Sequence, residues 1–322
     1  MIALTHATRE DTPALVDLWN AAFGPDFPLT ERLLRQTVEG DPFYEAAGTW
    51  VARDEERIVG WVLSKSMQSA GPELGRFQGR GGIGALCVHP DYQRRGIGTQ
   101  LLENAEVYLR AAGVKPNTLY FPHHILPGIP TGNEAAIALF RKRGYTGFHE
   151  CVDLWRDLED YAIPAKANAA LERNPDVELR PARAGEADAV LAMVAREFPG
   201  GWTYSTRRHF QTGGAAADII IAVEGGEVLG FCHTADWRSP WLLPSTYWYP
   251  FLGENYGGLG PIGLAAAHRK RGLGLALCAV AVADLKRRGV RRMGIDWTTL
   301  IDFYGQLGFT VWKRYLQAEQ AS

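Results

Sequence analysis

Hydrophobic and polar positions alternate along this chain in two successive rounds. In the first, IALTHATRE reads as a strand running into a turn, and TPALVDLWNAAF carries apolar residues at helical spacing, with Asp11 placed to cap it and Pro13 in its first turn. LTERLLRQTVEG predicts a second amphipathic helix stopped by Gly40, and TWVARDEERIVGWVLSK predicts a hairpin about a charged turn. GIGALCV is an apolar strand. The stretch TQLLENAEVYLRAAG puts Leu101, Leu102, Ala105, Tyr108, Leu109 and Ala112 on one helical face and ends at Gly113. TLYFPH predicts a strand, NEAAIALFRKRG a helix capped by Asn133, and FHECVDLWRDL a closing strand.

Between Glu159 and Asp176 the periodicity weakens, which reads as a linker with some helix in it. The order then repeats. VELRPARA corresponds to IALTHATRE, GEADAVLAMVAREF is a first helix, and DIIIAVEGGEVLGFCHTAD is a hairpin about Gly225-Gly226. LGPIGLAA is an apolar strand, LALCAVAVADLKRRG a helix, RRMGIDWTT a strand, LIDFYGQLG a short helix and FTVWKRYLQ the last strand. The period is too long for a solenoid, so two tandem domains are expected: 1–158, a linker over 159–176, and 177–322. The fold class expected is α/β with mixed, mostly antiparallel central sheets flanked by helices.

In both rounds a basic cluster with Gly-x-Gly stands between the apolar strand and the following helix. The first is Gln93-Arg94-Arg95-Gly96-Ile97-Gly98; the second is Arg269-Lys270-Arg271-Gly272-Leu273-Gly274. A helix N-terminus exposes unpaired N–H groups and a partial positive charge, and glycines let an anion approach them. A phosphate or diphosphate ligand fits this pattern. A nucleotide P-loop would need Lys-Ser/Thr after the last glycine, but Thr99-Gln100 and Leu275-Ala276 follow. Gly79-x-Gly81-x-x-Gly84 matches the dinucleotide fingerprint formally, yet it precedes a strand rather than following one.

Composition narrows the choice of partner. The chain has 322 residues and a formal net charge of −2, so nothing favours nucleic acid. No apolar run suits a membrane span, and the N-terminus lacks a secretory pattern. Cys87, Cys151, Cys232 and Cys278 are scattered without a C-x-x-C pair, so neither a metal site nor a disulfide framework is expected, and a cytoplasmic setting is. Monomer and homodimer are both open.

A strand ending V-x-P followed by Gln/Arg-x-x-Gly-x-Gly, as in CVHPDYQRRGIG, resembles the acetyl-CoA signature of the GCN5-related N-acetyltransferase (GNAT) family. The element order resembles it too, and the resemblance covers nearly the whole chain as two copies, a tandem two-domain type. It implies acetyl-CoA as co-substrate, direct transfer of the acetyl group to a primary amine, and no metal. It also implies a pantetheine arm lying along the strand before the loop, at Leu86, Cys87 and Val88 in the first half and at Ile262, Gly263 and Leu264 in the second. The diphosphate would then meet residues 94–98 and 270–274.

Such a reaction needs a proton acceptor for the amine, a donor to the oxyanion and an acid for the leaving thiolate. Family members often place the acid as Tyr in Y-x-x-x-G-F, which Tyr304 matches. A Tyr near pKa ~10 can protonate a thiolate whose acid has pKa ~8.5 without a steep uphill step. The first half has Phe140 there but keeps the family's Asn as Asn133, whereas the second has Trp297 in that region. Catalysis is therefore expected in the second half, with the first a degenerate copy that still binds acetyl-CoA or serves as scaffold. Glu254, Asp296, His233 and a water relay are open as the base. The segment DWRSPWLLPSTYWYPFLGENYGG holds Trp237, Trp241, Tyr247, Trp248, Tyr249, Phe251 and Tyr256, and reads either as an acceptor wall or as a seam between domains. Its first-half counterpart has only Phe77. Lys286-Arg287-Arg288 and Arg291-Arg292 suit a helix end and need no ligand, and His123-His124 reads as loop. The rival reading is a non-catalytic acyl-CoA-binding or regulatory module.

Overall fold

The computed structural model describes residues 1–67, 79–118 and 124–321. These form two compact units: residues 1–67, 79–118, 124–151 and 314–321, and residues 152–313. The stretch 159–176 falls wholly within the second unit, and the end of the chain falls within the first. The expected strand at 118–123 lies outside the described residues after Thr118, as do His123 and Phe77.

In the first unit, β1 (Ile2–His6), β2 (Thr49–Asp54), β3 (Arg57–Ser66) and β4 (Gly81–Val88) form an antiparallel sheet in chain order. Helix α1 (Thr12–Phe23) has Pro13 in its first turn. Asp11 does not cap it: its carboxylate accepts from the Thr8 N–H at 2.8 Å and from Arg53 at 2.7 Å, which fixes the turn before the helix to the sheet. The next helix starts as α2 (Glu31–Leu34) and widens into a π turn over Arg35–Glu39 before Gly40. Helix α3 (Ile97–Ala111) lays Leu101, Leu102, Ala105 and Leu109, all at zero exposure, against Val59, Val62 and Ile83 of the sheet. Each such leucine removed from water contributes about 2 kcal/mol. The short strand β5 (Ile129–Pro130), α4 (Glu134–Lys142) and the first residues of β6 (Tyr145–Asp157) follow. Asn133 caps α4 as the sequence indicates, its Oδ1 accepting the Ala136 N–H at 3.0 Å.

The second unit begins with the rest of β6 and contains α5 (Ala165–Glu172), β7 (Val177–Pro181), α6 (Ala187–Glu197), α7 (Gly201–Gln211), β8 (Ile219–Glu224), β9 (Glu227–Asp236), α8 (Tyr249–Leu252), β10 (Tyr256–Leu264), α9 (Leu273–Arg287), β11 (Arg292–Thr298), α10 (Ile301–Gly305) and the start of β12 (Thr310–Gln320). Its sheet runs β6-β11-β10-β9-β8-β7, antiparallel except for the β10–β11 pair. From Arg314, β12 belongs to the first unit, where Tyr315 and Leu316 pair with Pro130 and Ile129. Both units are thus mixed α/β, each a mostly antiparallel sheet with helices packed on it.

Helices α7 and α8 have no counterpart in the periodicity reading. In α7, Thr203, Ser205 and Thr206, and Thr212 at its C-terminal end, turn their hydroxyls back onto carbonyls of this or the preceding helix. Such residues mark helices poorly, because in isolation the same bonds compete with the helix.

Candidate functional site

Strand β4 and the loop after it match β10 and its loop position by position: Gly81-Gly82-Ile83-Gly84-Ala85-Leu86 against Gly257-Gly258-Leu259-Gly260-Pro261-Ile262, and QRRGIG against RKRGLG. Both loops take one conformation. Arg94 and Gly96 have φ of 61° and 83°, and Lys270 and Gly272 have 64° and 83°. Left-handed residues among right-handed ones turn successive N–H groups to one side, the arrangement that receives an anion. Each loop is latched to its strand: Gln93 Nε2 donates to the Val88 carbonyl and Arg269 Nε to the Leu264 carbonyl, both at 3.1 Å. Ile97 and Leu273 are buried beneath.

What stands over the two loops differs. In the first unit a cavity of about 600 Å³ opens between β4 and α4. Leu86, Cys87 and Val88 line one side. Gln93, Arg94, Gly96, Ile97 and Gly98 line the end, and Asn133, Ala136, Leu139 and Phe140 the other side. A Cβ built on Gly96 would meet nothing within 4 Å. Arg94 is exposed. Arg95 donates to the Asp91 carbonyl at 2.6 Å and lies over the Tyr92 ring, its centroid 5.0 Å away. A bulge at Gly84, between the pairs Leu63–Ala85 and Ser64–Ile83, interrupts the β3–β4 ladder beside the cavity.

In the second unit the loop has protein close on one side, with Lys270 and Gly272 exposed. A Cβ on Gly272 would come within 2.8 Å of the Ala170 Cβ of α5. Arg271 is engaged, donating to Glu224 at 2.7 Å and to Asn174 Oδ1 at 2.8 Å, while Asn174 Nδ2 donates to the Arg271 carbonyl at 3.3 Å. Phe198 covers Gly263, where a Cβ would lie 2.6 Å from its ring. Ile262 and Leu264 pack on the α9 core. Pro261 stands at the bulge where the first unit has Ala85, and it has no N–H to offer.

Tyr304 is 5 % exposed, packed edge-on against Phe303 and Phe309, with burial as the first cause of a raised hydroxyl pKa. Phe140 packs edge-on against Tyr145 at 4.8 Å. Of the base candidates, Glu254 is exposed. His233 is buried at 3.2 Å from Thr206 Oγ1, and burial holds it neutral. Asp296 is pushed up to about 8 by burial and then by the carboxylate of Asp153, a residue the sequence reading did not single out. Asp153 accepts from Trp297 N–H at 3.0 Å and Trp248 Nε1 at 3.2 Å. So part of the aromatic segment supports a buried carboxylate. The basic stretch is spent on structure: Lys286 on carbonyls of residues 159 and 161, Arg288 on Asp218, Asp236 and Asp284, Arg292 on Asp157. Cys87, Cys151, Cys232 and Cys278 are buried as thiols outside any disulfide. No helix among the described residues is long and apolar enough to cross a membrane.

A repeated strand, glycine nest and helix on a mostly antiparallel sheet define an acyl-CoA-type transferase fold, and comparison with known proteins agrees. The family model for the acetyltransferase (GNAT) family matches residues 12–145 and again 187–309; the chain belongs to that family, as an acetyltransferase with two tandem domains. It is similar to the mycothiol acetyltransferase of Thermobispora bispora, 28 % identical over 325 residues, covering 95 % of this chain and 94 % of that protein. Among solved structures it is similar to a GCN5-related glucosamine N-acetyltransferase region of a fungal multi-domain β-N-acetylglucosaminidase, with TM-score 0.86 and 26 % identity, over 99 % of this chain and 38 % of that one. A tandem GNAT protein from the clavulanic acid biosynthesis pathway shares the fold, with TM-score 0.64 and 19 % identity, over 100 % of this chain and 99 % of that one. The family's general co-substrate is acetyl-CoA.

Proposed function

We propose that this acetyltransferase holds acetyl-CoA in the first unit and passes the acetyl group to the primary amine of a small acceptor, with amino sugars the first class to test. The observation that carries the placement is the open cavity between β4 and α4, ending on an anion-receiving nest where a Cβ on Gly96 would meet none of the described residues within 4 Å. Residues 94–98 receive the diphosphate through backbone N–H groups, Arg94 adds charge, and the backbone of Leu86, Cys87 and Val88 takes the pantetheine arm as an added strand. Backbone N–H groups at the Gly84 bulge stabilise the oxyanion. The name of the glucosamine relative supports the acceptor class.

This differs from the sequence expectation, which put chemistry in the second unit on Tyr304. The ring of Tyr304, packed in the core between Phe303 and Phe309, and the missing N–H at Pro261 weigh against that placement. Among the described residues lining the first cavity there is no carboxylate, so the acceptor amine loses its proton to water, and Phe140 leaves the thiolate to be protonated by solvent. The test is release of free thiol from acetyl-CoA across glucosamine, other amino sugars, alkylamines and peptide N-termini. Turnover with amino sugars above the others supports the reading; turnover confined to peptides removes the acceptor class.

A further inference from the structure

The stretch FRKRG closes α4 with three consecutive bases, Arg141, Lys142 and Arg143. Two of them are engaged within the first unit. The Arg141 guanidinium lies 5.1 Å from the centre of the Phe148 ring, and Arg143 pairs with Glu103 at 2.7 Å and with Glu106 at 2.5 Å. Lys142 differs: it is exposed and has no ion pair or hydrogen bond with any of the described residues. A cation at a helix C-terminus is favoured by the dipole, but the dipole does not dictate which way it faces.

Helical spacing decides that. Ala135, Ala138, Leu139 and Lys142 fall at i, i+3, i+4 and i+7, and all four line the cavity between β4 and α4. Leu139 stands opposite the nest, since a Cβ built on Gly98 would lie 3.8 Å from its side chain. Lys142 comes three residues later, about 4.5 Å further along the helix axis, on the far side of Leu139 from Asn133. Arg94 and Lys142 are the charged side chains among the described residues of the lining. In the second half the position of Lys142 is taken by Gln306, which is uncharged and accepts from Lys166 at 2.6 Å.

Acetyl-CoA carries a phosphate monoester on the ribose 3′ oxygen besides its diphosphate, and such a monoester holds about −1.5 to −2 charge at neutral pH. With the diphosphate on the nest and the pantetheine arm running inward along β4, the ribose leaves the nest on the outer side, where Lys142 stands. A lysine there acts as a point charge on a flexible stem and needs no fixed fork geometry. We infer that Lys142 receives the 3′-phosphate, so that the first unit selects a 3′-phosphorylated acyl carrier over its dephospho form. The inference rests on the placement of acetyl-CoA in the first unit, and the test separates the two. The full chain is titrated by calorimetry with acetyl-CoA and with acetyl-3′-dephospho-CoA, as wild type and as Lys142→Ala, Lys142→Arg and Arg94→Ala. The wild type is expected to bind acetyl-CoA on the order of tenfold more tightly than the dephospho form, the worth of a charge-assisted phosphate contact. Lys142→Ala should close that gap by weakening acetyl-CoA alone, Lys142→Arg should restore it, and Arg94→Ala should weaken both ligands alike. No gap in the wild type, or a gap that survives Lys142→Ala, overturns the inference, while loss of both ligands in Arg94→Ala still upholds the first-unit placement. If neither Arg94→Ala nor Lys142→Ala changes either affinity, the placement and the inference fall together.

Discussion

Two glycines with one backbone conformation offer a matched measurement of what stands over each loop. Gly96 and Gly272 both have φ of 83°. Replacing either by alanine puts a Cβ in the left-handed region, at a cost of about 1–2 kcal/mol. There the similarity ends. The new methyl at residue 96 meets nothing within 4 Å, while at residue 272 it falls 2.8 Å from the Ala170 Cβ. Backbone on both sides must give way, and overpacking of that kind costs about 1–3 kcal/mol more. Gly272→Ala is therefore expected to destabilise its unit by roughly 2–5 kcal/mol, and Gly96→Ala its own by only about 1–2 kcal/mol. Because a two-unit chain need not unfold in one step, the assay is native-state amide exchange, reading the slowest amides of α9 for the second unit and of α3 for the first. Adding Ala170→Gly removes the opposing methyl. Although that change alone costs about 1 kcal/mol of helix propensity, the double variant should recover most of the overlap term. The reasoning is refuted if Gly272→Ala and Ala170→Gly add to within about 0.5 kcal/mol, the behaviour of sites that do not touch.

Further outcomes follow from the same geometry. Arg94→Ala should raise the KM for acetyl-CoA on the order of tenfold, with kcat little changed, since a lost charge-assisted phosphate contact is worth about 1.5 kcal/mol; an unchanged KM counts against the nest as the diphosphate seat. Tyr304→Phe should leave kcat within about twofold, because a hydroxyl that protonates nothing cannot cost the tenfold or more typical of a lost general acid; a hundredfold fall would restore the second unit as the catalytic one. With no carboxylate in the described lining, log(kcat/KM) should rise with pH and level off at the pKa of whichever amine is the acceptor, shifting when the acceptor is changed; an inflection fixed across acceptors would reveal a protein base. His233, held below its ordinary 6.5 by burial and by His209, is neutral in the fold and protonated in the unfolded chain below that value. Stability of the second unit should therefore be flat above about pH 6.5 and fall as the pH drops below it, and His233→Gln should flatten that slope in pH-dependent exchange measurements.

Periodicity and loop chemistry made much of this molecule legible in advance. The apolar faces of α3 and β4, the αL stop at Gly113, the Asn133 cap and the paired Gly-x-Gly loops are local features, written in neighbouring residues, and the structure has them. What was not legible depends on residues far apart in sequence. α5 looks like weak linker because it is stabilised by what it packs on, α9, rather than by its own pattern. Nothing near Gly272 says that Ala170 will come beside it. The sequence difference between the two strands before the loops is Pro261 in place of Ala85, which removes an N–H at the irregularity in the strand. Tyr304 drew attention by its motif, but a motif carries no burial. Asp153 was overlooked because its carboxylate gains meaning only when Trp248 and the backbone at Trp297 converge on it.

The placement of acetyl-CoA in the first unit is tested most directly by calorimetric titration of Gly98→Val with acetyl-CoA. A Cβ built on Gly98 would lie 3.6 Å from Val88 and 3.8 Å from Leu139, both of which line the cavity with Gly98 itself, so the methyls of valine take up space at its phosphate end. The account predicts that binding is lost while the amide exchange of both units stays as in the wild type; binding retained at one site per chain with unchanged affinity would contradict it.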